Sequence, residues 1–162
     1  GIAYEEFARA CQKMCQAYQV PFIVNDDVEL ALKLDADGIH IGQEDLALSR
    51  FRKQAKGKIV GVSVHNSREM EQAILSGADY VGIGPIYKTQ SKKDAKPPAG
   101  LHFLSATRKQ FENFPIVGIG GITEENTSDI LSSGANGVSV ISVICRSKDI
   151  GQTVKNLLLA KK

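Results

Sequence analysis

The segment that decides the fold is Asp35-Ala36-Asp37-Gly38-Ile39-His40-Ile41-Gly42, which recurs as Gly77-Ala78-Asp79-Tyr80-Val81-Gly82-Ile83-Gly84 and as Gly134-Ala135-Asn136-Gly137-Val138-Ser139-Val140-Ile141. Each copy follows an amphipathic stretch and leads into a short run rich in β-branched residues. This order predicts a helix, a tight turn and then a buried strand. The repeat therefore predicts an α/β fold assembled from helix-to-strand units.

The spacing of the copies indicates one long insertion. They begin at residues 35, 77 and 134, so the second interval (57 residues) exceeds the first (42 residues) by 15. The surplus fits the polar, Lys- and Pro-rich stretch 88–100, which we interpret as a functional loop.

The apolar pattern predicts seven helices and six strands. We expect helices near residues 3–17, 27–35, 44–54, 67–76, 101–112, 124–133 and 149–160, and strands at 21–25, 38–41, 59–64, 80–84, 116–120 and 137–141. The strands are apolar on both faces, which is typical of a parallel sheet covered by helices on both sides. Both a doubly wound sheet and a (β/α)8 TIM-type barrel fit, and the repeat together with the missing dinucleotide fingerprint favours the barrel.

The length of the chain suggests that such a barrel is not complete. A TIM barrel has eight strands and typically about 250 residues, whereas this chain has 162 residues and begins with Gly1. We therefore expect residues 1–162 to form a single TIM-barrel domain, N-terminally incomplete, with about six C-terminal strands.

Composition restricts the partners. The net charge is only +2 and the basic residues are scattered, so neither nucleic acid nor a membrane is expected as a partner. Three cysteines without CxxC spacing, and the lack of an apolar run of about 20 residues, indicate a cytoplasmic location. The expected ligands are small molecules, and a homo-oligomer is compatible with the sequence.

Acidic residues follow the first two predicted strands, in Asn25-Asp26-Asp27 and in Gly42-Gln43-Glu44-Asp45. Asp27 is also suited to cap the next helix, since Glu29 and an apolar face follow it. Carboxylates from two neighbouring strand ends make an oxygen-rich site suited to Mg²⁺ and a phosphate group. The sequence therefore predicts a metal-bound phosphate or diphosphate here.

Polar residues also follow the third and fourth strands. Ser63 and His65 end the third strand, and His65 is either an acid–base group or a hydrogen-bonded rim histidine. The loop Thr89-Gln90-Ser91-Lys92 combines phosphate hydrogen-bond donors with positive charge.

Glycines and serines follow the last two strands, at Gly118-Ile119-Gly120-Gly121-Ile122-Thr123 and Val138-Ser139-Val140-Ile141-Ser142. Glycine lets backbone N–H groups approach an anion closely, and the last loops of such barrels often bind phosphate. These patterns predict two phosphate sites, one using Mg²⁺ and lysine and the other using backbone donors of Gly121 and Ser142. The patterns do not identify the substrate.

Several of these motifs together resemble the thiamine phosphate synthase family, namely Val20-Pro21-Phe22-Ile23-Val24-Asn25-Asp26-Asp27, Asp37-Gly38-Ile39-His40-Ile41-Gly42-Gln43-Glu44-Asp45, Gly84-Pro85-Ile86-Tyr87 and Gly118-Ile119-Gly120-Gly121-Ile122. The resemblance implies a transferase that joins 4-amino-2-methyl-5-hydroxymethylpyrimidine diphosphate to 4-methyl-5-(2-phosphooxyethyl)thiazole, with release of diphosphate.

The resemblance also implies roles for individual residues. Asp26 and Asp45 would bind Mg²⁺, and Asn25, Ser63 and Lys92 would contact the pyrimidine diphosphate, Ser63 and Lys92 as catalytic residues. The thiazole phosphate would be held by Thr89, Gln90, Ser91, Gly121, Ile141 and Ser142. Charge neutralisation by Mg²⁺ and Lys92 would favour departure of diphosphate, and the thiazole nitrogen would capture the resulting cation.

The chain departs from the family pattern at its start, since the Gln-x-Arg-x-Lys segment of the pyrimidine site has no counterpart. This departure leaves open whether the polypeptide is active or inactive alone. Two alternatives stay open: a thiazole tautomerase-like barrel that uses His65, and a non-catalytic remnant that binds a phosphorylated thiazole or thiamine phosphate.

Overall fold

The computed structural model describes residues 2–43, 47–89 and 97–160, in which helices and strands alternate. The strands are β1 (Ile23–Asn25), β2 (Gly38–Ile41), β3 (Ile59–Val64), β4 (Tyr80–Ile83), β5 (Ile116–Ile119) and β6 (Gly137–Ser139). The helices are α1 (Ile2–Ala17), α2 (Val28–Lys33), α3 (Leu48–Phe51), α4 (Ser67–Leu75), α5 (Gly100–Gln110), α6 (Thr127–Ser132), α7 (Ser142–Cys145) and α8 (Ile150–Leu159). The predicted α/β class is confirmed, whereas the closed eight-stranded barrel and the single domain stay predictions.

The chain divides into two compact units. Unit 1 comprises Gly1–Ser63 and Gln72–Asp79, and unit 2 comprises Val64–Glu71 and Tyr80–Lys162. Among the helices that the structure describes, none is long and apolar enough to cross a membrane.

Unit 1 contains three adjacent parallel strands, β1, β2 and β3. Asn25 pairs with His40, and His40 in turn pairs with Gly61, so the carboxyl ends of the strands lie side by side. Buried residues such as Ile39 and Val60 fill the sheet, and Phe51 of α3 is also buried. In β2 and β3 consecutive residues are buried, as expected for strands that are covered on both faces.

Unit 2 contains the parallel strands β4, β5 and β6. Ile83 pairs with Gly118, and Gly118 pairs with Val138. Leu104 of α5 and Ile130 of α6 are completely buried and form part of the core of this unit. The arrangement places the loops that follow β4, β5 and β6 at one edge of the unit 2 sheet.

The repeated segment has the same backbone conformation at the start of every copy. Asp35, Gly77 and Gly134 have φ values of 50°, 86° and 111°, which lie in the left-handed region. A residue in this region ends a helix and lets the chain turn back toward the sheet. The alanine that follows is buried in each copy, so a small side chain is needed where the turn packs closely.

The third residue of each copy fixes the start of the preceding strand. The side-chain oxygens of Asp37, Asp79 and Asn136 accept hydrogen bonds from the backbone N–H groups of Phe22, Val60 and Ile116, at 2.8, 2.7 and 2.9 Å respectively. The sequence shows the recurrence of an acid or amide at this position. Its bond to the preceding strand is a long-range contact that the sequence pattern does not contain.

An arginine supports this residue in two of the copies. Arg52 donates to both carboxylate oxygens of Asp79, at 3.1 and 3.2 Å. Arg108 donates to the side-chain oxygen of Asn136 at 2.6 Å and to the carbonyl of Gly134 at 2.8 Å. Both arginines therefore have a structural role within their own unit, at the amino ends of the strands.

Several element boundaries differ from expectation. Of the helix predicted over 44–54, the described residues contain only Leu48–Phe51 as helix. The helix predicted over 124–133 begins at Thr127, and the strand predicted over 137–141 ends at Ser139. The short helix α7 then follows at once, so a continuous apolar run concealed the boundary between a strand and a helix.

Candidate active site

The Asn25-Asp26-Asp27 turn lies at the carboxyl end of β1 in unit 1. The N–H of Asp26 donates to the carbonyl of His40 at 2.8 Å, and the N–H of Asp27 donates to the carbonyl of Asn25 at 2.8 Å. Asp26 has a φ of 66°, in the left-handed region that L-residues other than glycine rarely adopt. Backbone strain of this kind is frequent at functional sites.

The two acids of this turn have different environments. The carboxylate of Asp27 accepts a hydrogen bond from the N–H of Leu30 at 2.9 Å and caps α2. The predicted capping role of Asp27 is therefore confirmed. Asp26, the residue before this cap, has the left-handed backbone conformation. Both Asn25 and Asp26 are exposed at the end of β1.

Ser63 is held at the end of β3 by two residues of β2 and its loop. Its Oγ lies 2.9 Å from Nε2 of His40, and its carbonyl accepts a hydrogen bond from Nε2 of Gln43 at 2.6 Å. His40 is not among the predicted site residues. Only the strand register of the folded sheet brings it to Ser63, because His40 pairs with Gly61, two residues before Ser63.

His65 is a hydrogen-bonded histidine at the start of α4. Oε2 of Glu69 accepts the backbone N–H of His65 at 2.7 Å and lies 2.8 Å from its Nδ1. Oδ1 of the neighbouring residue Asn66 accepts the N–H of Glu69 at 3.0 Å. Asn66 therefore caps the first turn of α4, and the carboxylate of Glu69 holds His65, the residue before the cap, which supports a structural interpretation of His65.

In unit 2 the loop after β5 contains two consecutive glycines in the left-handed region. Gly120 and Gly121 have φ values of 92° and 68°, and the carbonyl of Gly120 accepts the N–H of Tyr87 at 3.1 Å. A Cβ built at Gly121 would lie 2.7 Å from Cβ of Tyr87 and 2.8 Å from the carbonyl oxygen of Lys88. The backbone of the loop after β4 thus leaves no room for a side chain at Gly121.

Two side chains outside the predicted site, those of Asn126 and Thr127, fix the same loop. Asn126 donates from Nδ2 to the carbonyl of Gly121 at 3.0 Å and accepts the N–H of Thr123 at 2.8 Å. The hydroxyl of Thr127, which is completely buried, donates to the carbonyl of Thr123 at 2.6 Å. The loop is therefore held from inside by α6.

Ile141 and Ser142 lie at the transition from β6 to α7. Ile141 is 66% exposed and its carbonyl accepts the N–H of Cys145 at 2.9 Å, while Ser142 is the first residue of α7. The predicted backbone donors at these positions consequently belong to the first turn of a helix rather than to the end of a strand.

Two groups of unit 2 near these loops have shifted pKa values. Burial raises the pKa of the Tyr87 phenol, and the negative charge of Asp129 raises it further. A hydrogen bond from the side chain of Thr123 lowers the pKa of Glu125, and a hydrogen bond with the backbone of Glu125 adds to the effect. The phenol of Tyr87 is thus neutral and the carboxyl of Glu125 is charged at neutral pH.

Four predicted site residues, Asp45, Gln90, Ser91 and Lys92, lie outside the described residues, and Thr89 is the last residue described before 97. Within residues 2–43, 47–89 and 97–160, no group of three or more His, Cys, Asp or Glu side chains is placed to hold a metal ion. The described part contains Asp26, one of the two predicted Mg²⁺ ligands. A carboxylate fits Mg²⁺, which commonly uses one or two protein carboxylates together with phosphate oxygens and water.

Known proteins match this chain over nearly its whole length. A family model described as thiamine monophosphate synthase matches residues 2–144. The chain is 56% identical over 154 residues to the thiamine-phosphate synthase of Lysinibacillus sphaericus. The match covers 95% of this chain and 72% of that protein. It is 49% identical over 158 residues to the Staphylococcus epidermidis thiamine-phosphate synthase, covering 98% of this chain and 74% of that one.

A solved structure shows the same backbone arrangement. The thiamine phosphate pyrophosphorylase from Pyrococcus furiosus superposes with a TM-score of 0.87 at 32% sequence identity. The match covers 95% of this chain and 73% of the archaeal chain.

Proposed function

The chain belongs to the thiamine-phosphate synthase family, and on this basis we propose that it joins 4-amino-2-methyl-5-hydroxymethylpyrimidine diphosphate to 4-methyl-5-(2-phosphooxyethyl)thiazole. The products are thiamine phosphate and diphosphate. Proteins of this family are transferases of thiamine biosynthesis, and the chain is accordingly a transferase. The roles of single residues below are proposals that combine the strand-end geometry with the family pattern.

The observation that carries the proposal is the division of roles between Asp26 and Asp27. Asp27 caps α2, so one acid accounts for the start of the helix. Asp26 has a strained backbone and lies exposed at the end of β1, and a helix cap does not require this conformation. We assign Asp26, together with Asp45, to Mg²⁺ bound by the pyrimidine diphosphate.

The other diphosphate contacts are assigned to Asn25, Ser63 and Lys92. Ser63 is positioned by the imidazole of His40, so its hydroxyl is presented in one orientation. When the bond between the pyrimidine methylene carbon and the diphosphate oxygen breaks, its electron pair leaves with the diphosphate. Lys92 stabilises that negative charge, and bound Mg²⁺ would supply further charge neutralisation.

The thiazole phosphate is assigned to the unit 2 loops. Backbone N–H groups of Gly121, Ile141 and Ser142 would donate to the phosphate oxygens, because N–H groups at a glycine turn and at the start of a helix suit an anion. Thr89, Gln90 and Ser91 would add donors from the loop after β4. The thiazole nitrogen then forms the new bond to the methylene carbon, without a protein nucleophile.

A comparison of the two neighbouring aspartates tests the metal assignment. Thiamine phosphate formation is measured with and without Mg²⁺, for this 162-residue polypeptide and for a version extended at its N-terminus. We expect Asp26→Ala to lower Mg²⁺-dependent activity by at least about 100-fold, the usual scale for loss of a group that stabilises charge in the transition state. Asp27→Ala removes the same charge one residue away, and it should cost about 1 kcal/mol of stability through the lost cap while retaining activity.

Each alternative function has its own outcome in this assay. Full activity of the double variant Asp26→Ala with Asp45→Ala would contradict the metal assignment. Loss of activity on His65→Gln, with Asp26→Ala active, would instead favour histidine-based chemistry. Binding of the thiazole phosphate without turnover in both the 162-residue and extended forms would favour a non-catalytic binding protein.

A further inference from the structure

Asn126 occupies the N-cap position of α6, yet its side chain does not cap that helix. An asparagine at this position ordinarily accepts an N–H from the first turn of its own helix. Here the amide faces the other way, where Nδ2 donates to the carbonyl of Gly121 and Oδ1 accepts the N–H of Thr123. The side chain of Asn126 therefore makes no cap hydrogen bond and instead bridges Gly121 and Thr123 in the loop between β5 and α6.

This bridge sets the direction of one particular donor. The carbonyl of Gly121 and the N–H of Ile122 belong to the same planar peptide and point in opposite directions. A hydrogen bond that fixes the carbonyl therefore also fixes the N–H of Ile122. In the same way, the N–H of Tyr87 holds the carbonyl of Gly120 and thereby orients the N–H of Gly121.

The residues around Asn126 are themselves anchored. The buried hydroxyl of Thr127 donates to the carbonyl of Thr123. On the outer side, the carboxylate of Glu124 accepts a hydrogen bond from the hydroxyl of Thr153 in α8 at 2.9 Å and another from the amide of Asn156. The bridge therefore lies between two fixed points, so the loop cannot easily adopt a different backbone conformation when the bridge is intact.

We infer that Asn126 is a positioning residue for the thiazole phosphate, which orients the Ile122 N–H as a second backbone donor beside that of Gly121. This inference rests on the proposed function, because that function places a phosphate at the Gly121 loop. Two adjacent N–H groups whose directions are already fixed bind an anion more tightly than the same groups in a loop that becomes ordered only on binding. Asn126 acts through the backbone and does not itself need to touch the ligand.

Calorimetric titration of the protein with 4-methyl-5-(2-phosphooxyethyl)thiazole tests the inference without requiring turnover. We expect Asn126→Ala to raise the Kd about tenfold, the scale of one to two lost hydrogen bonds. Asn126→Asp has nearly the same shape and still accepts the N–H of Thr123, but it cannot donate to Gly121. It should therefore weaken binding by at least as much, although its packing is preserved.

Asn66→Ala is the matched control, because it removes the asparagine cap of α4 and costs similar stability without a contact to the loop between β5 and α6. It should leave the Kd unchanged, and the affinity for the pyrimidine diphosphate should be the same in the Asn126 variants as in the wild type. If wild-type protein binds the thiazole phosphate and both Asn126 variants bind it equally well, the inference is wrong and the proposed function stands. An equal loss of affinity in Asn66→Ala would also overturn it. If the wild type does not bind the thiazole phosphate, the proposed role of the loop itself fails.

Discussion

Replacement of Gly121 by alanine is expected to destabilise the protein for two separable reasons. The φ of 68° places the residue in the left-handed region, where an L side chain costs about 1 kcal/mol. The new Cβ would also lie 2.7 Å from Cβ of Tyr87, 2.8 Å from the carbonyl oxygen of Lys88 and 2.9 Å from that of Tyr87. Backbone atoms cannot rotate away, and overpacking of this kind costs about 1–3 kcal/mol. The predicted loss is about 2–4 kcal/mol in total.

Two other glycines of unit 2 separate these contributions. Gly100 has a φ of 74° but no atom within 4 Å of a built Cβ, so Gly100→Ala should lose only about 1 kcal/mol. Gly137 has neither a left-handed φ nor a close neighbour, so Gly137→Ala should be neutral or stabilising by up to about 0.5 kcal/mol. Urea unfolding of the three variants, followed by circular dichroism, gives the free energies of unfolding. A Gly121→Ala loss no larger than that of Gly100→Ala would refute the steric argument.

Two further predictions concern unit 1. Asp79→Ala removes the acceptor of the Val60 N–H and the partner of Arg52. Because the part-buried N–H of Val60 is then unpaired, the free energy of unfolding measured in urea titrations should fall by about 1–3 kcal/mol. A loss below about 0.5 kcal/mol, which is typical of an exposed ion pair, would mean that the hydrogen bond to Val60 contributes little. The second prediction concerns the dependence of stability on pH. The hydrogen bond from Lys58, and then the charge of Lys58, lowers the pKa of Asp35 in the folded state. The stabilisation of the folded protein by this pair is therefore complete above the unfolded pKa of about 3.9 and is lost as the pH falls through the lower folded-state pKa. Asp35→Asn should therefore unfold with a shallower loss of stability between about pH 5 and about pH 3 than the wild type, and identical acid profiles of the two proteins would exclude a contribution from this pair.

The helix-to-strand order was predictable because it depends on local properties of the sequence. The left-handed turn at Asp35, Gly77 and Gly134 favours glycine or aspartate, and the following strand needs apolar residues on both faces, so both requirements leave a visible pattern. The capping role of Asp27 was predictable for the same reason, since its bond to Leu30 spans three residues.

The boundary between β6 and α7 was not predictable in this way. Val138 to Val143 is an apolar run interrupted by serines, and a short apolar run fits a strand and a helix equally well. Only the pairing of β6 with β5, which ends at Ser139, decides where the strand stops. Ser142 is consequently the first residue of a helix, which changes the geometry proposed for its N–H.

The sequence by itself determined the α/β class, the alternation of helices and strands as far as β6 and the polar residues that follow the strands, because periodicity and turn residues are local signals. The tertiary structure decided which side chains hold those strand ends in place. The hydrogen-bonded residues His40 and Ser63 are 23 residues apart in the sequence, and Val60 and Asp79 are 19 residues apart. Asn126 could have capped its own helix, and only the folded loop shows that it bridges Gly121 and Thr123 instead. A hydrogen bond of this kind depends on the register of strands and the path of loops in space, and neither is written in the spacing of residues along the chain.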